Sequence, residues 1–182
     1  MLKKTSPSPL TRRIKMTKRI RQYVGLVLSV LAYFVIHEGA HLLYAVINGS
    51  FKQIRFIGLG IQIDVLAEKM TDAQLGAFCL LGSAATLVAA YVLVLFVKRI
   101  CSSSSKLLKA CAYYITLALL LIDPLYLSVL CGFFGGGDMN GISLLIPEAI
   151  ARIAYGILLF INVAVFFKLV LPKYKASFND NK

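Results

Sequence analysis

His37 and His41 are the only histidines of the chain, four positions apart with Glu38 between them, in AYFVIHEGAHLLYAVI over residues 32–47. On a helix, positions i and i+4 share one face about one turn apart, so both imidazoles can bind one ion. Glu38 is offset by about 100° around the axis, near enough to reach a water on that ion without filling its coordination sphere. This is the H-E-x-x-H arrangement, two zinc ligands and a general base. Zinc lowers the pKa of bound water to about 7. The Glu38 carboxylate can then take the proton as the water attacks a carbonyl, and return it to a leaving amine.

Zinc hydrolases keep three protein ligands and one open position. No histidine is left, and the thiols of Cys79, Cys101, Cys111 and Cys131 are poorly placed and form no CxxC. These cysteines read as small buried hydrophobes. The third ligand is therefore expected to be a carboxylate inside apolar surroundings, Asp138 or Asp123. Asp138 is favoured, because the glycines of GGGDMNG let backbone and carboxylate approach an ion. Asp123 is the alternative ligand, or orients a ligating histidine, or caps a helix break predicted at Pro124. Asn140 is given the same supporting or alternative role.

These residues need a scaffold, and its solvent is legible in the composition. Hydrophobic residues make up 59% of the 182 residues, and the mean hydropathy is +0.79. Apolar runs of span length recur over 23–47, 72–97, 107–131 and 149–171, predicting an all-α membrane protein with about four transmembrane helices. Glu38 then lies about 22 Å along the first span, where an ionisable group is costly and by default functional. The span is too long for a signal-peptide core and is expected to stay in the mature protein. A single transmembrane domain over 23–171 is expected, between a basic arm at 1–22 and a basic polar tail at 172–182.

The net charge of +12 is distributed as a membrane protein distributes it. Sixteen of the twenty bases fall in residues 1–22, in the 98–109 linker and in the tail from Lys168, which a four-span topology places on one side. This positive-inside pattern puts both termini in the cytoplasm, with anionic lipid as the partner of the basic segments. The expected location is multi-pass in the plasma membrane of a bacterium. No recognition motif accompanies the charge, so nucleic-acid binding is not expected.

After the first span, NGS at 48–50 ends the helix. In FKQIRFIGLGIQIDVLAEKM, β-branched residues alternate with polar ones around Gly58 and Gly60, predicting a short strand or hairpin. Open strands cannot face lipid, so this element must lie at the interface or be shielded by helices. On the second span, GSAATLVAA (82–90) offers a small-residue face for close helix approach.

HEGAHLLYAVINGSFKQIRFIGLG resembles the signature of the site-2 proteases, a family of intramembrane zinc metalloproteases. Its counterparts here are His37, Glu38, His41, Gly49, Gly58 and Gly60. GGGDMNG is loosely similar to the family's second signature, with Asp138 in the ligand position, and Gly82-Ser83 stands where the family has Gly-Pro. The resemblance implies that His37, His41 and Asp138 bind one zinc ion and that Glu38 is the base. It also implies that the strand segment with Phe56, Gly58 and Gly60 sits beside the cleft and holds an unwound substrate by strand addition. The expected activity is endopeptidase cleavage of a transmembrane or membrane-adjacent protein substrate, by a small member without a PDZ domain. Two rivals remain from other classes. One is a non-catalytic metal-binding membrane protein that binds or regulates others. The other is a small transporter with an intramembrane ion relay.

Overall fold

Helix α1 (Lys18–Ile47) starts where the Thr17 hydroxyl accepts the Ile20 amide, in a computed structural model that describes residues 16–58 and 60–179. It ends at Asn48, whose side-chain amide donates back to the Tyr44 carbonyl at 2.9 Å, followed by Gly49 at φ +63°. That left-handed turn is one a glycine adopts without strain. Strands β1 (Phe51–Ile57) and β2 (Gly60–Val65) form an antiparallel hairpin that pairs Ile54 with Ile63 and turns at Gly58, φ +58°. A bulge between Phe51 and Gln53 shifts the register at its base.

Helix α2 (Asp72–Leu95) opens with a capping box: Thr71 accepts the Gln74 amide, and the Gln74 side chain accepts that of Thr71. After a short α3 (Val97–Cys101), Ser105 caps α4 (Lys106–Ser128) through the Leu108 amide. A glycine-rich loop leads into α5 (Asp138–Ile142), then α6 (Glu148–Val165), a π turn at Phe166–Val170, and α7 (Leu171–Asn179).

Four helical segments, Lys18–Ile47, Asp72–Leu95, Lys106–Ser128 and Glu148–Asn179, are long and apolar enough to cross a membrane. Large apolar side chains point outward along them: Val35, Val88 and Phe160 are 72%, 66% and 78% exposed. A soluble protein would have to cover such continuous apolar faces, whereas in a bilayer lipid covers them. The chain is an all-α membrane protein with a two-stranded hairpin after the first helix, as its sequence predicts.

Helix α4 is the hub, packing against α1, α2 and α6. Contacts fix the order of the ends. A Cβ on Gly25, near the start of α1, would lie 2.7 Å from the Tyr114 ring near the start of α4. At the far end of α4, the Ser128 carbonyl accepts Arg152 Nε of α6 at 3.1 Å. One end of the bundle therefore carries the starts of α1 and α4 together with α7, and the other carries the hairpin and α5.

Two expectations are revised. Pro124 does not break the helix: α4 runs through it to Ser128. Proline removes the amide that would bond the Leu120 carbonyl, and Asn162 Nδ2 of α6 donates to that carbonyl instead, at 2.7 Å. The fourth span does not stop near 171, and the tail from 172 is helical through Asn179. Pro172 is preceded by the π turn, and Lys109 Nζ, fully buried in α4, donates to the Ser177 carbonyl at 2.9 Å and holds α7 in place. The last residues of the basic arm, 18–22, form the first turn of α1. Residues 1–15 of the arm and 180–182 of the tail lie outside the described residues.

Candidate metal centre

Four-residue spacing puts Tyr33, His37 and His41 in one line along α1, and both histidines are buried. Helix α2 passes close because Gly82 has no side chain. A Cβ there would stand 2.5 Å from His41 Nε2 and 2.7 Å from His37 Nε2. Asp138 enters from α5 after three successive glycines, Gly135, Gly136 and Gly137, at φ of +82°, +84° and +52°. Residues with a Cβ avoid these angles, so the glycine run is what turns Asp138 inward.

The three side chains meet. Asp138 Oδ2 lies 3.0 Å from His37 Nε2 and 3.4 Å from His41 Nε2, and the two Nε2 atoms are 3.1 Å apart. Tetrahedral zinc with bonds of about 2.0–2.1 Å places its ligand atoms about 3.3–3.4 Å apart, so the triangle has the size of one tetrahedral face. Among the described residues, His37, His41 and Asp138 are the group of three such donors able to hold an ion.

The hydrogen bonds behind the rings fix their tautomers. His41 Nδ1 donates to the Phe78 carbonyl at 2.8 Å, an oxygen that can only accept. His37 Nδ1 donates to the Asp123 carboxylate, 3.3 Å from Oδ1. With both Nδ1 atoms protonated, the two Nε2 lone pairs and a carboxylate oxygen face one point. A single proton lies along one side of such a triangle, whereas an ion at its centre serves all three.

Asp123, buried on α4, is not in the triangle. It accepts Tyr33 Oη at 2.5 Å, Thr86 Oγ1 and His37 Nδ1, so three donors from α1 and α2 lock one carboxylate and the His37 ring with it. Such a carboxylate–histidine pair is the usual support of a metal site. Sequence reading missed Tyr33 and Thr86. Tyr33 had a readable signal, lying one turn before His37 on the same face, where its ring stacks on the imidazole at 5.2 Å. Nothing local marks Thr86.

Asn140 plays a different part from the one expected. Its side-chain amide donates to the Gly135 carbonyl at 3.1 Å and ties the glycine loop, and it makes no bond to the histidines. Glu38 Oε2 accepts the Ile63 amide of β2 at 3.1 Å. The triangle, Glu38 and the outer edge of β2 line one cleft of about 830 Å³. Of the strand residues singled out, Gly60 lines this cleft, whereas Phe56 is 76% exposed and Gly58 forms the turn. At the cleft's rim, the Gln53 amide and the Arg55 guanidinium hold the Asp64 carboxyl below the usual carboxylate range. No family model, curated protein or solved structure matches the chain.

Proposed function

We propose that the protein is a zinc-dependent intramembrane endopeptidase, similar in chemistry to the site-2 proteases that its H-E-x-x-H segment resembles. The observation that carries this reading is the convergence of His37, His41 and Asp138 at a cleft that also holds Glu38 and the outer edge of β2. In this reading the three residues hold one zinc ion. Zinc bound there would acidify a water and polarise a carbonyl.

The chain's own residues supply the rest. Asp123, fixed by Tyr33 and Thr86, holds the His37 ring so that its Nε2 would face the ion. Glu38 accepts the proton of the attacking water and hands it to the leaving amine. A helical substrate hides its carbonyls in hydrogen bonds, so the substrate must be extended in the cleft. The outer edge of β2 offers replacement bonds to such a strand. The substrate is a transmembrane or membrane-adjacent protein. The charge distribution supports cytoplasmic termini, which opens the cleft to the opposite face, and the membrane is taken to be the plasma membrane of a bacterium.

The test compares wild type with Glu38→Gln, purified in detergent, for bound zinc and for cleavage of a membrane-embedded reporter peptide. Equal zinc and lost cleavage are expected. Equal cleavage by the two proteins, or wild type devoid of zinc affinity, refutes the reading.

A further inference from the structure

We propose that a groove at the other end of the bundle binds the headgroup of an anionic phospholipid. The groove opens between the first turns of α1, the first turns of α4 and α7, and encloses about 500 Å³. Lys18, Arg21, Lys106 and Lys175 line it from all three helices, and among the described residues no Asp or Glu does.

The wall behind these bases is also positive. Lys109 is fully buried, its ammonium spent on the Ser177 carbonyl and lying 5.5 Å from the centre of the Phe178 ring. No carboxylate among the described residues pairs with it. A buried ammonium without a counter-charge among the described residues raises the potential of the groove beside it, which favours an anion there.

The remaining lining selects a lipid over a soluble anion. Tyr113, Tyr114 and Leu171 make the sides apolar and aromatic, and the Tyr114 ring closes on Gly25 where α1 meets α4. Tyrosines beside bases at the ends of spanning helices sit at headgroup level, with acyl chains continuing along the helices. Basic pockets between spans are a recurrent form of phospholipid headgroup site.

The test reconstitutes the full chain in phosphatidylcholine nanodiscs containing a minor fraction of phosphatidylglycerol. Native mass spectrometry then reads the phosphatidylglycerol retained per protein. The Lys18→Gln, Arg21→Gln, Lys175→Gln variant is expected to bind it roughly a hundredfold more weakly, about fivefold for each base removed. A Lys98→Gln, Arg99→Gln, Lys173→Gln variant loses the same charge outside the groove; diffuse surface attraction alone would cost the two variants equally, and a markedly smaller loss is expected here. Equal losses in the two variants would reduce the effect to diffuse charge and overturn the proposal. Displacement of the lipid by millimolar inorganic phosphate would overturn it too, by assigning the groove to a soluble anion. Should the triple variant melt early, Arg21→Gln alone is read instead, and unchanged affinity there is equally fatal.

Discussion

Glu38 holds the outer edge of the hairpin: its Oε2 accepts the Ile63 amide at 3.1 Å, twenty-five residues away in the chain. Ile63 is paired with Ile54 of β1 in the ladder register, yet its N–H points to α1, so this edge of β2 faces the cleft. A peptide strand adding to that edge would have to take the amide from Glu38, which frees the carboxylate for proton transfer. Under the proposed function, substrate docking and release of the base are one event.

The same bond makes Glu38 structural, and this separates its variants. Glu38→Ala removes the acceptor, and a hydrogen bond to a charged group contributes about 1.5–3 kcal/mol. Amide exchange at Ile63 should rise about tenfold or more in Glu38→Ala, while Glu38→Gln, whose carbonyl oxygen still accepts, should stay near wild type. Exchange read by mass spectrometry across 60–65 checks this. Equal protection in the two variants would mean that the contact does not anchor the hairpin.

Asp138 and Asp123 touch the same imidazole on opposite nitrogens, and that geometry ranks their loss. Asp138→Ala removes one corner of the triangle. Asp123→Ala leaves the triangle but frees the His37 ring, which at comparable sites costs about 10–100-fold in metal affinity. Zinc titration against a competing chelator should therefore give a larger loss for Asp138→Ala than for Asp123→Ala. The reverse order would move the ligand role to Asp123.

Gly82 is the narrowest point of the site. A methyl group there would sit 2.5 and 2.7 Å from the two Nε2 atoms, too close for the rings to keep their places. Gly82→Ala should abolish zinc binding while helicity is kept, since alanine favours a helix by about 1 kcal/mol over glycine. Gly39→Ala, where an added Cβ meets nothing within 4 Å, is the matched control and should bind zinc normally. Normal zinc binding by Gly82→Ala would place the ion elsewhere.

How legible all this was in the sequence depends on the range of the interaction. The histidine pair and Glu38 are local, four-residue spacing on one helix, and so is the alternation that makes β1 and β2. Asp138 could be picked out because glycines with positive φ flag a forced backbone. Thr86 could not, because its partner Asp123 stands thirty-seven residues away on another helix. Pro124 misled for the same reason: it reads as a break unless Asn162, remote in sequence, is known to take up the carbonyl that its missing amide leaves open.

Asn162 gives the sharpest test of that compensation. It is fully buried in an apolar helix, donates to the Leu120 carbonyl at 2.7 Å and accepts Tyr91 Oη at 2.6 Å. Asn162→Ala strands the carbonyl that Pro124 already leaves without its helical amide, and an unsatisfied buried group costs about 1–3 kcal/mol. Pro124→Ala returns an amide to Leu120, so the carbonyl no longer depends on Asn162. The two substitutions should therefore be non-additive, with Asn162→Ala costing about 1 kcal/mol less in the Pro124→Ala background, a size typical of hydrogen bonds between membrane helices. Unfolding of the four proteins in mixed micelles measures the cycle. Strict additivity would show that Asn162 supports Tyr91 alone and that α4 tolerates Pro124 by some other means.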